Sequence, residues 1–158
     1  MKYLSGIITA MSLMPGLLYA DATVNFKGTV IEAPPCVVSN NQLVTVDFGD
    51  EVMTTRVDGS NYKQPIRFTL DCSEALSSKQ KIRITGETAG FDPISLSTSV
   101  SSLAVALYHD DVRYTPGEWI PFTDPDVPAL YAVPVKQDSA TLSGGAFSVL
   151  ASLVVDYQ

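Results

Sequence analysis

The fold this sequence predicts is an all-β sandwich. Three features carry the prediction. Short segments alternate apolar and polar residues with the period of a strand, turn-forming residues punctuate them, and no long segment has a helical period. Residues 23–31 (TVNFKGTVI) put Val24, Phe26, Gly28 and Val30 on one face and Thr23, Asn25, Lys27 and Thr29 on the other. Strands are then expected at 43–48 (LVTVDF), 65–72 (PIRFTLDC), 79–86 (KQKIRITG), 103–108 (LAVALY), 119–122, 129–135 (ALYAVPV) and 146–157 (AFSVLASLVVDY). Turn signals separate them at Phe48-Gly49-Asp50, Asp58-Gly59-Ser60, Thr115-Pro116-Gly117 and Asp124-Pro125-Asp126. Residues 73–81 have room for one helical turn. There is no internal repeat and no low-complexity linker, so one domain is expected.

The N-terminus indicates the compartment. Lys2 precedes an apolar stretch over residues 4–18, and Tyr19-Ala20 ends it before Asp21. A positive start, an apolar middle and a small residue at the cut form the layout of a secretory signal peptide. Residues 1–20 are expected to be removed. The chain has no second hydrophobic span, so the mature protein is not expected to insert in a membrane. With a net charge of −7 and no basic cluster, it lacks the electrostatic footprint of a nucleic-acid binder.

Cys36 and Cys72 are the two cysteines. In an oxidising compartment such a pair is most simply a disulfide. A zinc site would need further ligands, and His109 is the only histidine. No metal and no cofactor is expected.

Pro34-Pro35 directly precedes Cys36. Two prolines supply no backbone N–H, so a strand ladder cannot run through them unbroken. Residues 21–35 read locally either as a separable extended arm or as an edge strand with a proline-marked bulge. At the other end, Phe147, Val149, Ala151, Leu153, Val155 and Tyr157 share one face of a segment that Gly144-Gly145 introduces. An immunoglobulin-type sandwich has a further strand after this one. Ending here would leave an unpaired edge beside an apolar groove, which a strand from elsewhere could complete.

The search for catalysis finds no G-x-S-x-G elbow, no H-E-x-x-H and no phosphate-binding glycine loop. His109 with Asp110 and Asp111 reads as a solvated turn, so a secreted hydrolase using His109 is the weakest of three readings. Trp119 beside a Pro-Gly turn could stack on a sugar, which gives a secreted or periplasmic carbohydrate-binding sandwich as the alternative function.

Taken in order, NFKGTVIEAPPC (residues 25–36), the following VDFG, the DC at Asp71-Cys72 and the ending GGAFSVLASLVVDYQ resemble the pilin subunits of the chaperone–usher pathway, of the minor or adaptor kind found in type 1 or P pili. The resemblance spans the mature chain. It implies a non-catalytic structural subunit of a surface fimbria that supports cell adhesion. Its fold would be an incomplete immunoglobulin-like sandwich of six strands, lacking the seventh, with residues 36–158 as the pilin domain. Residues 21–35 would be a donor-strand arm with Val24, Phe26, Gly28 and Val30 facing the acceptor. The acceptor edge would run from Gly145 through Phe147, Val149, Ala151, Leu153 and Val155 to Tyr157. Cys36 and Cys72 match the family's disulfide between its first two strands. The implied partners are a periplasmic pilus chaperone, docked by Tyr157 and the terminal carboxylate, the outer-membrane usher and neighbouring pilins. A short arm points to a minor, tip-adaptor position.

Overall fold

The computed structural model describes residues 27–29 and 35–158. Among them are eleven strand segments: β1 (Val37–Val38), β2 (Gln64–Pro65), β3 (Leu70–Asp71), β4 (Lys79–Gly86), β5 (Thr88–Ala89), β6 (Asp92–Ser97), β7 (Leu103–His109), β8 (Val112–Tyr114), β9 (Ile120–Thr123), β10 (Leu130–Lys136) and β11 (Ala151–Tyr157). One sheet has the order β2-β10-β7-β6-β5, with β8 also paired to β7. A second has the order β11-β4-β9, and β1 pairs with β3. Every pairing is antiparallel. No helix among the described residues is long and apolar enough to cross a membrane.

The two sheets face each other across one core. Ile82 and Ile84 of β4, Ile120 and Phe122 of β9 and Val155 of β11 meet Leu96, Val105, Leu107 and Leu130 of the larger sheet. β4 shows the period-two rule directly: Gln80, Ile82 and Ile84 are buried, while Lys81, Arg83 and Thr85 stand on the other face, part-exposed. β7 departs from it, being buried along both faces from Leu103 to Leu107. Its outward Ala104 and Ala106 pack in a second cluster with Ala89, Val135, Phe91 and Tyr108. Small side chains on that face leave room for covering segments, which is why LAVALY does not alternate in polarity.

Pro134 sits inside β10 without breaking it. The backbone of odd-numbered β10-side residues points to β7, as Gln137 N–H to Ser102 O and Asp110 N–H to Ala129 O show, whereas Leu130 O turns the other way and accepts from Ile66 N–H. Pro134 therefore aims its missing donor at the edge where β2, paired only to Tyr131 and Ala132, has already ended.

Cys36 and Cys72 are bonded, with Cα atoms 4.1 Å apart. They sit one position beyond the Val37↔Asp71 pair, so the bridge staples β1 to β3. After β1 the chain turns sharply: Ser39, Asn40 and Asn41 all have positive φ, at 45°, 51° and 60°. Left-handed backbone costs about 1–2 kcal/mol per ordinary residue and less for Asn. That turn sends the chain away from β3 into residues 42–49.

Several expected elements differ from the observed ones. Residues 43–48 form no strand, although Val44, Val46 and Phe48 are half-buried in alternation with exposed neighbours. The side-chain period is that of a strand, but none of the described residues pairs with its backbone. Residues 65–72 are split, because the chain leaves β10 after Ile66 and reaches β1 only at Leu70. The strand expected at 146–157 pairs only from Ala151, and β9 starts at Ile120, one residue later than expected. Residues 73–81 contain no helix. Ala75 N–H bonds to Cys72 O in a tight turn, Asp71 accepts from Ser73 N–H, and the chain enters β4. The predicted strand at 23–31 and the leader at 1–20 lie outside the described residues, apart from 27–29, which are exposed and carry no strand pairing.

β5, β6 and β8 were not expected, and β6 shows why. Its Ile94-Ser95-Leu96-Ser97 alternation is only four residues long and would send Ser95 to solvent, whereas Ser95 is fully buried and Ile94 is 40% exposed. Ser95 is satisfied by a polar network instead: its hydroxyl donates to Asp92 Oδ2 at 2.9 Å, and Arg113 of β8 bonds to both Ser95 Oγ and the Asp92 carboxylate. Burial raises the Asp92 pKa, but the bonds from Ser95 and Arg113 and the guanidinium charge outweigh it and hold the carboxyl below its ordinary range.

Two predictions follow from these tethers. Replacing Cys36 and Cys72 together by Ser should lower unfolding stability by about 4 kcal/mol, measured by denaturant titration, because the closed loop spans 36 positions. Asp92, with its folded pKa below the unfolded one, contributes stability that is complete above about pH 4 and is lost as pH falls through the folded value. Asp92→Asn should therefore be less stable near neutrality and show a shallower acid loss below about pH 4 in pH-dependent melts.

Candidate functional site: an apolar groove with unpaired lips

β11 is bonded to β4 along one edge only, with Ser152↔Thr85, Val154↔Arg83 and Asp156↔Lys81 in register. In an extended strand the N–H and C=O of one residue point to the same edge, and those of the next residue to the opposite edge. Gln158 N–H donates to Lys79 O, and Ser148 exchanges bonds with Ser99 on the same side. Even-numbered residues thus face β4 and Ser99. From Phe147 to Val155 the odd-numbered residues turn their backbone to the opposite edge, where no strand of the described residues pairs with them.

The side chains follow the same parity. Phe147, Val149, Leu153 and Val155 are half-buried or buried against the main core, and Ala151 between them is small and exposed. Of the outward residues, Ser148, Ser152 and Asp156 are polar, Leu150 is 90% exposed and Val154 is half-buried. Across from this lip runs the unpaired segment 43–48, whose Val46 and Phe48 pack on the same core. The lips touch at one end, where the Phe48 and Phe147 rings stand 5.7 Å apart and tilted by 33°. Beside that contact a cavity of about 60 Å³ is lined by Val57, Val100, Leu103, Gly145 and Phe147, among others. Gly145 enters the lip at φ +144°, a conformation that side chains rarely adopt.

An apolar trough between two strips of unpaired backbone has the chemistry to accept an extended segment. An extended segment laid in it would bury alternate side chains and bond to the odd-numbered N–H and C=O groups. The structure thus brings Gly145, Phe147, Val149, Ala151, Leu153 and Val155 together along one edge. Tyr157 closes the strand, its hydroxyl accepting from Leu76 N–H at 3.0 Å and so holding the turn that follows Cys72. Val24, Phe26 and Val30 lie outside the described residues, and Gly28 is exposed. Sequence reasoning missed Val44, Val46 and Phe48 as the second lip, reading them as part of a paired strand. Their period was the available signal.

The other candidate sites are weaker. His109 ends β7 with Nε2 3.4 Å from Asp110 on an exposed turn. Among the described residues no group of His, Cys, Asp and Glu could hold a metal ion. The Trp119 ring is attended by the Arg83 guanidinium at 4.1 Å and Lys81 Nζ at 5.1 Å. This cation–π packing occupies the ring with the protein's own side chains.

Sandwich and groove together define an immunoglobulin-like domain with an open edge. Residues 24–158 match the family model described as fimbrial protein, and the chain belongs to that family. It is therefore a structural subunit of surface fimbriae, which neighbour one another in the fibre. Among relatives, the fimbrial-like protein YfcR of Escherichia coli K12 is 32% identical over 96% of this chain and 88% of its own length. The fimbrial adapter PapF of Escherichia coli is 27% identical over 98% of this chain and 96% of its own. The solved structure of the P pilus adaptor subunit PapF superposes with a TM-score of 0.61 at 26% identity, covering 80% of this chain and 98% of that one.

The ring contact across the lips is testable by a double-mutant cycle. Phe48→Ala and Phe147→Ala should each destabilise the domain. The double variant should lose less than the sum, with a coupling of about 0.5–1.5 kcal/mol in denaturant melts.

Proposed function

We propose that the groove is a strand-acceptor site and that the protein is a minor or adaptor fimbrial subunit assembled by donor-strand exchange. The observation that carries this reading is the parity of β11, with unpaired backbone and half-buried apolar side chains presented by the same odd-numbered residues. In this reading a periplasmic chaperone first supplies the missing strand, and at the outer-membrane usher the arm of the next subunit replaces it. Residues 21–35 are this chain's own donor arm, released by cleavage after Ala20, and residues 36–158 are the acceptor domain. Val24, Phe26 and Val30 fill the neighbour's groove, and Gly28 allows close backbone approach. Burying those three side chains is worth roughly 5–9 kcal/mol. The adaptor position is supported by the likeness to PapF, named an adapter, along nearly the whole chain. The role is one of binding and assembly, without catalysis.

The test uses the purified mature chain and a synthetic peptide of residues 21–33. Alone, the chain should be polymeric or of low stability. With peptide at one hundred times its Kd, the domain should gain about 2.7 kcal/mol, read as a rise in melting temperature of several degrees. A Gly28→Arg peptide should give no rise, while the Gly28→Arg subunit should still accept the wild-type peptide. A chain that is monomeric and stable by itself, and indifferent to peptide, would overturn the reading.

A further inference from the structure

β4 supports β11 only as far as the Ala151↔Gly86 pair. Beyond Gly86 it turns away to the other sheet, with Glu87 O accepting from Ser97 N–H and Thr88 opposite Leu96. Leu150 passes so close to this turn that a methyl group at Gly86 would lie 3.0 Å from its carbonyl oxygen. Residues 147–150 would therefore have no strand to hold them. At Ser99 a second support takes over. Ser99 N–H donates to Ser148 O at 3.0 Å, and Ser148 N–H donates to Ser99 Oγ at 3.0 Å. This is the two-bond exchange of an antiparallel pair, with a side-chain oxygen in place of a carbonyl.

The turn that presents Ser99 is itself fixed. Thr98 Oγ1 accepts from Val100 N–H and lies 2.9 Å from the Val100 and Leu103 carbonyl oxygens, to one of which it donates. Leu103 N–H closes the turn on Val100 O, and Gln137 N–H bonds to Ser102 O. The same turn supplies Val100 and Leu103 to the cavity beside Phe147.

We infer that Ser99 is a positioning residue that extends the strand-accepting edge past the end of β4. By holding Ser148 from the β4 side, it keeps the N–H and C=O groups of Phe147 and Val149 turned into the groove. The acceptor edge then begins at Phe147 and includes the cavity end, where β4 pairing alone would start it at Ala151. This inference rests on the strand-accepting reading of the groove.

Hydrogen exchange read by mass spectrometry or NMR tests it on the mature chain, with and without the peptide of residues 21–33. Without peptide, the Ser148 amide should exchange about fivefold faster in Ser99→Ala than in wild type. With peptide, wild type should slow at Phe147, Val149, Ala151, Leu153 and Val155. Ser99→Ala should keep the slowing at Ala151, Leu153 and Val155 and lose about fivefold of it at Phe147 and Val149. Ser99→Thr, which keeps the hydroxyl, should restore it. Equal slowing at Phe147 and Val149 in wild type and Ser99→Ala would overturn the inference alone, as would an unchanged Ser148 amide. A peptide that slows nothing in wild type would overturn the acceptor reading and this inference with it.

Discussion

The one-sided pairing of β11 is the constraint on which the rest depends. Its even-numbered backbone is bonded to β4, and β4 is bonded to β9, so the strand is held in the smaller sheet. Its odd-numbered residues meet both a core to pack on and an edge to which no described strand is paired. An edge of this kind exposes donors, acceptors and apolar surface at once, and it is the usual starting point for pairing with another chain. In a family of fibre subunits such an edge is the surface we propose for assembly.

The remaining contacts fix the elements around that edge. The disulfide fixes β1 to β3, so the left-handed turn at Ser39–Asn41 starts from a rigid point and carries residues 42–49 to the far lip. Arg113, Asp92 and Ser95 tie β8 to β6 on one flank of β7, which steadies the larger sheet under the groove. The cation–π contacts of Arg83 and Lys81 with Trp119 cover the outer face of β4 and β9.

Much of this was legible in the residues. The period of 79–86 placed β4 to the residue, because a half-buried strand leaves an unambiguous alternation. The odd-numbered apolar set from Phe147 to Val155 marked the face that meets the core. β6 was not legible, because its buried Ser95 is satisfied by Arg113 of β8 as well as by nearby Asp92, and the Arg113 contact is one that sequence proximity does not reveal. Trp119 was ambiguous for a related reason, since what covers its ring comes from the neighbouring strand.

By itself the sequence determined which side chains share a face, where the chain must turn, and that two cysteines are available to join. Those properties are local, set by the alternation of successive residues and by the backbone limits of Gly, Pro and Asn. Tertiary structure alone decided which extended segments are paired. Residues 43–48 have the same period as β4, yet lie unpaired beside a groove, and residues 147–149 are held only where Ser148 meets Ser99. Pairing needs a partner brought from far along the chain, and there the partner strands have already turned to the other sheet. The period of β11 is written in its own residues, but its open edge exists because β4 pairs with one side and none of the described strands pairs with the other.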